Sequence, residues 1–504
     1  MATRSDDPDP KEQPATPRFA FGRSPGGFSN VVTLVMSLFI SGLLFCIASP
    51  SAESPRLAGL DRAAETAMRV FERDLWVENS IEFIPGSLRI VLEPFLGNGS
   101  NTSTREEAIA AFEDVIAHHG YPLRGVDGQP RPVDEASIDA LRTRRIVLLA
   151  ESNRIEEVRG DLDRLAAKGR ASFVDAVRRA YAKVSVDDAR TFPGYDVAIA
   201  GDEWIGKRLQ LRLAIATHDD VVRVRLESEI RGRLARFADH ATRLALAWTI
   251  PTLLGLVVFL VWLARNRPDG PVSTALSPPA WLFENGYAVL VRAAFFGLAI
   301  AFTLGQIGFY VGSDAFVVWG TLLASIPLLI LLRKRLLVPL GLEFAPTFGL
   351  ARLSNPIAWI LFALAVFAVD QLGAQAISTL AHMAGAASHW SERVIPTVLW
   401  GPQSIAVLDA IDTCAWAPFF EELGCRGLLY LTLRRNYPPW QAALLSGALF
   451  GAVHLYSLPG MMSVTWSGFV WALAFERCRS LWPGIACHAL TNVLVVASIW
   501  LLYR

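Results

Sequence analysis

The sequence predicts an α-helical multispanning membrane protein, with about eight to nine transmembrane helices and one inserted extracytoplasmic α/β domain. Apolar residues make up 52% of the 504 residues, and the mean hydropathy is +0.35. Apolar runs of about 20 residues, long enough to cross a bilayer, recur along the chain. A single long polar stretch, residues 50–240, interrupts them, and it is large enough to fold as a domain.

The N-terminal part divides into a polar tail and an apolar segment. Residues 1–27 are rich in Pro, Asp, Arg and Gly, a composition typical of a disordered tail. Residues 28–49 are predicted to form a transmembrane anchor. This apolar run is long for a signal peptide, and the polar tail before it is atypical of one. We therefore expect the anchor to stay uncleaved.

Residues 50–240 predict a mixed α/β domain of unknown role. Short apolar runs predict strands at residues 144–150, 195–200 and 208–216. Between them, residues 171–184 repeat apolar side chains at a spacing that fits one face of a helix. From residue 219 a charged helical pattern continues into a transmembrane helix at 242–264.

The remaining sequence is predicted to lie mostly in the membrane. Accessory transmembrane helices are expected within residues 286–380, and a C-terminal transmembrane core within 395–502. Arginine and lysine cluster at four helix ends, near residues 265–267, 333–335, 434–435 and 477–479. These clusters fall on one side if the N-terminus is cytoplasmic, as the positive-inside rule requires. The polar domain then lies outside the cytoplasm of a multi-pass protein of the inner or plasma membrane.

Composition also excludes several classes of function. Lys and Arg total 47, as do Asp and Glu, and no basic patch interleaved with aromatics predicts a nucleic-acid partner. The five cysteines lie in or beside apolar segments and form no Cys-x-x-Cys pair. A disulfide framework and a thiolate metal site are therefore not expected. The oligomeric state is not predicted.

Polar patterns lie in otherwise apolar helices of the C-terminal core. There are three of them: Glu421-Glu422-x-x-x-Arg426, Phe450-x-x-x-His454 and His488-x-x-x-Asn492. Ionisable groups at membrane depth cost several kcal/mol each and mark functional sites by default. The three patterns together therefore predict a site in the C-terminal core.

The first pattern divides the two carboxylates between two tasks. Residues four apart share a helix face, so Glu422 can pair with Arg426. Glu421 is rotated by about 100° from Glu422 and faces elsewhere. We therefore expect Glu422 to be neutralised by the guanidinium, while Glu421 faces a cavity and can take a proton from water.

The other two patterns supply imidazoles and an amide. His454 and His488, with Glu421, come from three different helices and can either polarise a water molecule or bind a metal, as zinc hydrolases do. Asn492 can donate an N–H group to a developing oxyanion. Phe450 shares a helix face with His454 and is expected to support it.

Each pattern alone also has an ordinary structural explanation. A Glu-Glu-x-x-x-Arg sequence is often a solvated pair, and His-x-x-x-Asn can join two membrane helices by hydrogen bonds. The combination in adjacent helices favours a catalytic site. Two alternatives stay open: a membrane sensor or receptor whose extracytoplasmic domain binds a ligand above a non-proteolytic bundle, and a transporter with Asp370 and the glutamates on a proton path.

The three motifs resemble those of the CPBP family of intramembrane proteases, which includes CAAX-processing endopeptidases and bacteriocin-processing proteins. The similar segments are residues 417–427, 449–455 and 480–492. The resemblance covers residues 400–502 well and does not extend to the polar domain. One departure is Gly424-Cys425, where the family usually has bulkier residues before the arginine.

The resemblance implies a division of roles among the motif residues. It implies that Glu421 activates the attacking water with the help of His454, and that His488 and Asn492 stabilise the oxyanion. Glu422 and Arg426 are then structural support.

The resemblance also implies a possible cofactor and a class of partner. The family is labelled metalloprotease, so Glu421, His454 and His488 are candidate zinc ligands, beside a metal-free mechanism that uses the glutamate alone. The implied substrate is a peptide or protein reached from the lipid bilayer: a prenylated tail, a leader peptide or a membrane segment.

Overall fold

The structure is a computed structural model that describes residues 28–48, 62–86, 88–89, 104–118, 135–181, 203–265, 279–350 and 356–504. These residues are 87% helical and contain no strand. The prediction of a multispanning helical protein is confirmed. The prediction of an α/β domain is wrong for the described part of the polar stretch, which is all helical.

An apolar helix comes first, α1 (Asn30–Ala48). Helices of the outer domain, as we call the polar stretch from here on, then follow: α2 (Ala63–Ser80), α3 (Thr104–His118), α4 (Glu135–Glu151), α5 (Arg159–Ala167), α6 (Ala171–Tyr181) and α7 (Trp204–Ala216). Two short 3₁₀ turns, Ile81–Phe83 and Ile155–Val158, lie between them.

The predicted strands are buried helices where the structure describes them. Residues 144–150 belong to α4 and residues 208–216 to α7. The third run, 195–200, and the predicted tail 1–27 lie outside the described residues. Ile146 and Leu149 of α4 are both 0% exposed, as are the two residues between them. A helix buried on all sides shows a continuous apolar run, which periodicity cannot distinguish from a buried strand.

A buried carboxyl group connects three helices of the outer domain. Glu72 of α2 accepts a hydrogen bond from Arg144 Nε of α4 at 3.0 Å and another from the backbone N–H of Ile205 at 2.9 Å. Both side chains are almost fully buried. Burial raises the pKa of the Glu72 carboxyl to about 7, against the lowering effects of Arg144 and the Ile205 N–H.

The raised pKa of Glu72 predicts a pH-dependent stability. The folded state binds a proton more tightly than the unfolded chain, so this carboxyl contributes most below about pH 4.5, and the contribution falls as the pH rises to about 7. We expect the melting temperature of Glu72→Gln to fall less than that of the wild type over this pH range. Glu65→Gln, on the same helix but 41% exposed, is the control. If Glu72→Gln leaves the pH dependence of the melting temperature unchanged, the prediction is contradicted.

The membrane part begins with one very long helix. The helices are α8 (Asp220–Arg265), α9 (Phe283–Val311), α10 (Ala315–Leu340), α11 (Pro356–Met383), α12 (403–433), α13 (Pro439–Val453), α14 (Leu458–Cys478) and α15 (Trp482–Tyr503). Shorter helices, Phe344–Thr347 and Pro396–Trp400, precede α11 and α12.

Among the described residues, six helices are long and apolar enough to cross a membrane: α8, α9, α10, α11, α14 and α15. The chain is thus an integral multi-pass membrane protein, but eight to nine spans are not supported. The apolar part of α1, Asn30–Gly42, and the 15-residue α13 are shorter. At about 1.5 Å per residue, α13 reaches only about 22 Å, less than the ~30 Å hydrocarbon core.

The first segment of the predicted C-terminal core, residues 395–433, is interrupted near Pro402. Helix Pro396–Trp400 ends there, and α12 starts at Gln403. Within α12 no break occurs at Pro418. Instead, the π-helical stretches Asp412–Trp416 and Leu423–Tyr430 flank a short α-helical part that ends at Glu422. Such stretches are rare and occur often at functional sites.

Candidate active site

The two glutamates of α12 lie in different surroundings. The side chain of Glu422 is 1% exposed, and that of Glu421 is 40% exposed. Neighbouring residues on a helix point about 100° apart, which puts Glu422 into the bundle and leaves Glu421 beside open space. The two side chains thus face different surroundings, and the division into a supporting and a reactive carboxylate stays a prediction.

Glu422 forms a buried ion pair one turn along the helix. Arg426 Nη1 donates to Glu422 Oε1 at 2.8 Å, and the arginine is fully buried. Its guanidinium lies over the rings of Phe450 and Trp471, 4.4 and 5.1 Å from their centroids. Cation–π contacts stabilise a desolvated guanidinium, so the ion pair and the two rings together explain how Arg426 is accommodated away from water.

His488 of α15 lies between the two carboxylates. Its Nε2 is 3.6 Å from Glu421 Oε2, and its Nδ1 is 3.5 Å from Glu422 Oε1. The imidazole stacks on Trp471 of α14, with ring centroids 4.6 Å apart and planes at 26°. Both distances are longer than direct hydrogen bonds. The ring is therefore held by stacking and placed within reach of both carboxylates.

His454 follows the last residue of α13. Its Nδ1 is 2.7 Å from the carbonyl oxygen of Phe450, and its ring meets the Phe450 ring edge-on at 4.8 Å. Phe450 also contacts the His488 ring, at 5.8 Å. After His454 the chain reverses through Leu455, which has a φ of 56°. Phe450 thus lies against both imidazole rings, and its supporting role stays a prediction.

Asn492 lies one turn after His488, and its side-chain amide forms a hydrogen bond with the protein backbone. Its Nδ2 donates to the carbonyl oxygen of Thr413, in the first π-helical stretch of α12, at 2.8 Å. An amide group has two N–H donors, so one hydrogen remains for an oxyanion. The contact also fixes α15 against α12 near the glutamates.

The candidate ligands do not fit a three-ligand zinc site in this arrangement. Among the described residues, no group of three His, Cys, Asp or Glu side chains is placed to hold a metal ion. Zinc bound by Glu421, His454 and His488 therefore stays a prediction, and no step below depends on it.

Two further residues lie beside the site: Trp471, which the sequence analysis did not single out, and Asp370, which it named only in the transporter alternative. Trp471 contacts both Arg426 and His488, and Asp370 of α11 is 0% exposed and interacts electrostatically with His488. Gln371 Nε2 lies 3.3 Å from the Asp370 carboxylate. The sequence does indicate Asp370, because a charged residue in an apolar span often marks a functional site. Nothing distinguished Trp471 from other tryptophans.

A close approach at Gly484 predicts a sensitive position. A Cβ atom there would lie 2.7 Å from Glu422 Oε2, so Gly484→Ala must displace the carboxylate that pairs with Arg426. Overpacking of this kind typically costs about 1–3 kcal/mol, and we expect lower thermal stability and activity. Gly305→Ala, in a helix with nothing within 4 Å, is the matched control. Two variants with equal melting temperatures and activities would contradict the prediction.

The fold and the cluster define a class: an integral membrane protein whose C-terminal helices bring two carboxylates, an arginine and two imidazoles together. Residues 403–494 match the model of the Rce1-like family, described as type II CAAX prenyl endopeptidase Rce1-like. The match contains all three motifs. It confirms the resemblance to CAAX-type intramembrane proteases for this part of the chain. Neither a curated protein nor a solved structure matches the chain.

Proposed function

We propose that this protein is an intramembrane endopeptidase that hydrolyses a peptide bond of a membrane-associated or lipidated substrate. The observation that carries the proposal is the pair formed by Glu421 and His488. A partly exposed carboxylate lies 3.6 Å from an imidazole, while the adjacent Glu422 is buried against Arg426. The family match supports protease activity of the CAAX type.

In the proposed mechanism Glu421 acts as the general base. It accepts a proton from a water molecule as the water oxygen bonds to the carbonyl carbon of the scissile peptide. Negative charge then collects on the carbonyl oxygen, where N–H groups of His488 and Asn492 are the candidate donors. As the tetrahedral intermediate collapses, the C–N bond breaks and protonated Glu421 returns its proton to the leaving amine.

The hydrogen bond of His454 suits an assisting role. A carbonyl oxygen only accepts hydrogen bonds, so the contact with Phe450 requires a proton on Nδ1 of His454. In the neutral ring, Nε2 then carries the lone pair. We propose that this nitrogen accepts a hydrogen bond from the attacking water and orients it toward the scissile carbonyl.

The proposed substrate is a peptide that enters from the bilayer. The family's description names a prenyl endopeptidase, which supports a lipidated C-terminal tail as one substrate class. A leader peptide or a transmembrane segment of another protein suits the same site. Zinc remains part of the proposal only as a cofactor to be tested by metal analysis of the purified protein.

The test compares membrane proteomes of cells that produce either the wild type or Glu421→Ala. We expect uncleaved substrates to accumulate with the variant, and protein N-termini or C-termini created by cleavage to disappear. Equal membrane levels of the two proteins, measured by immunoblot, show that insertion is intact. Identical proteomes at equal levels of the two proteins would overturn the proposal. They would favour the sensor or transporter alternatives, because neither of those cleaves peptide bonds.

A further inference from the structure

A short turn, residues 455–457, follows His454 and leads into α14. Leu455 in this turn has a φ of 56°, a left-handed backbone conformation that residues other than glycine rarely adopt. Such a conformation persists when the surrounding structure holds it in place. The orientation of the His454 imidazole therefore depends on the contacts that the 455–457 turn makes.

The Glu392 carboxylate binds the last residue of the 455–457 turn. It accepts hydrogen bonds from the backbone N–H and from the hydroxyl of Ser457. Ser457 is only 4% exposed, and a buried donor without a partner costs free energy. A Cβ atom at Gly460 would lie 2.4 Å from Glu392 Oε2, so the carboxylate lies close to the start of α14. Loss of this carboxylate would leave both Ser457 donors without their partner.

Contacts with the outer domain hold Glu392 in place. Glu392 belongs to a short 3₁₀ segment, Trp390–Arg393. Trp390 packs into the core of the outer domain, 6.3 Å from the ring of Phe71. Arg393 Nη1 forms an ion pair with Asp74 of α2 at 3.1 Å. Residues on both sides of Glu392 are therefore bound to the outer domain.

We propose that Glu392 is a positioning residue for the cleavage reaction, which holds the 455–457 turn so that His454 keeps its orientation in the candidate active site. The inference rests on the proposed endopeptidase function, in which His454 orients the attacking water. It also assigns a task to the outer domain, because that domain fixes the segment that carries Glu392. A misplacement of about 1 Å in an active site can lower the rate about 100-fold, so even a small shift of the turn is measurable.

The first test compares Glu392→Ala with Glu392→Gln in the full-length protein in proteoliposomes. Glutamine keeps both hydrogen bonds, because its carbonyl oxygen accepts from the Ser457 N–H and its amide donates to the hydroxyl oxygen. We expect Glu392→Ala to lower kcat about 10- to 100-fold at unchanged KM, and Glu392→Gln to stay within about threefold of the wild type. Glu343→Ala, at an exposed glutamate outside the cluster, is the control. An unchanged kcat in Glu392→Ala, or equal losses in both variants, would overturn the proposal.

A second variant reaches the same contact without removing the carboxylate. The methyl group of Gly460→Ala must displace Glu392 Oε2, while every charge of the protein remains. We expect kcat to fall as in Glu392→Ala, again at unchanged KM. Gly305→Ala, with nothing within 4 Å of the added atom, is the matched control. Wild-type kcat in Gly460→Ala would contradict the proposal, even if Glu392→Ala fails to fold.

A double variant separates positioning of His454 from a general loss of structure. If Glu392 acts through His454, Glu392→Ala/His454→Ala should lose little more activity than His454→Ala, because the group that Glu392 positions is already absent. A general structural defect would instead lower the residual activity of the His454→Ala protein as strongly as that of the wild type. That second result would overturn the proposal.

Hydrogen exchange tests the contact without using activity. The measurement is amide exchange of residues 455–460 by mass spectrometry, with the full-length protein in nanodiscs. We expect Glu392→Ala to raise the exchange rate about tenfold or more, because the Ser457 N–H loses its partner. Glu392→Gln should exchange like the wild type. Equal exchange in the wild type and Glu392→Ala would overturn the proposal.

The endopeptidase hypothesis and the positioning hypothesis fail in different ways. If the endopeptidase hypothesis is wrong, the wild type and Glu421→Gln show the same cleavage rate, whatever residue 392 is. If only the positioning hypothesis is wrong, Glu421→Gln is inactive, while Glu392→Ala keeps the kcat and the exchange rate of the wild type.

Discussion

Replacing Glu421 with glutamine is expected to slow peptide cleavage by about 100- to 10,000-fold, the usual contribution of general acid–base catalysis. Glutamine has nearly the same shape but cannot accept a proton from water. Its amide would still lie beside His488, so the bundle should fold normally. The measurement is single-turnover cleavage of a fluorogenic peptide in proteoliposomes, with Glu343→Gln, an exposed glutamate outside the cluster, as the control.

The two members of the pair should act as one unit. If Glu421 and His488 serve the same step, the double variant Glu421→Gln/His488→Gln should lose little more activity than either single variant, because such losses are not additive. If the loss of activity in the double variant equals the product of the two single losses, the two residues have independent roles. A Glu421→Gln rate within twofold of the wild type would remove Glu421 from the mechanism altogether.

Replacing Arg426 with methionine is expected to have the largest effect on stability. The change leaves the Glu422 carboxylate buried without its partner, and breaking a buried ion pair typically costs about 3–5 kcal/mol. Thermal or denaturant unfolding in detergent measures the loss. The control is Arg243→Met, which breaks the exposed i,i+4 pair with Asp239. Such pairs contribute about 1 kcal/mol or less.

A second change separates the charge effect from the packing effect. In the double variant Arg426→Met/Glu422→Leu no charge is left unpaired, so we expect much of the lost stability to return. Activity should not return, since Glu422 also lies 3.5 Å from His488. A double variant as unstable as Arg426→Met would show that the contacts of the guanidinium with Phe450 and Trp471 matter more than the charge.

The membrane helices could be predicted because their length is set by the bilayer. Apolar runs identified α8, α9, α10, α11, α14 and α15. The strand predictions at residues 144–150 and 208–216 failed because a buried helix such as α4 and a buried strand share one pattern. The apolar run of α13 could not be distinguished from that of a span by hydropathy alone, because hydropathy does not give the length at which the helix ends.

The candidate site could be predicted only where its geometry is local. The i,i+4 spacing identified the ion pair of Glu422 and Arg426, and the offset of one residue separated Glu421 from it. Contacts between helices could not be predicted, because they depend on how the helices cross. The stacking of Trp471 on His488 and the contact of Asn492 with the Thr413 carbonyl are of this second kind.

The length of α8 gives the outer domain a mechanical connection to the bilayer. Its 46 residues extend about 69 Å, more than twice the hydrocarbon thickness of about 30 Å. Phe237, in the first half of α8, stacks on Trp76 of the outer domain. Gly255, 18 residues further along the helix, touches the backbone of Leu364 in α11. One helix therefore joins the core of the outer domain to α11. A displacement of the outer domain would reach the bundle through about 27 Å of this helix, within which Pro251 lies.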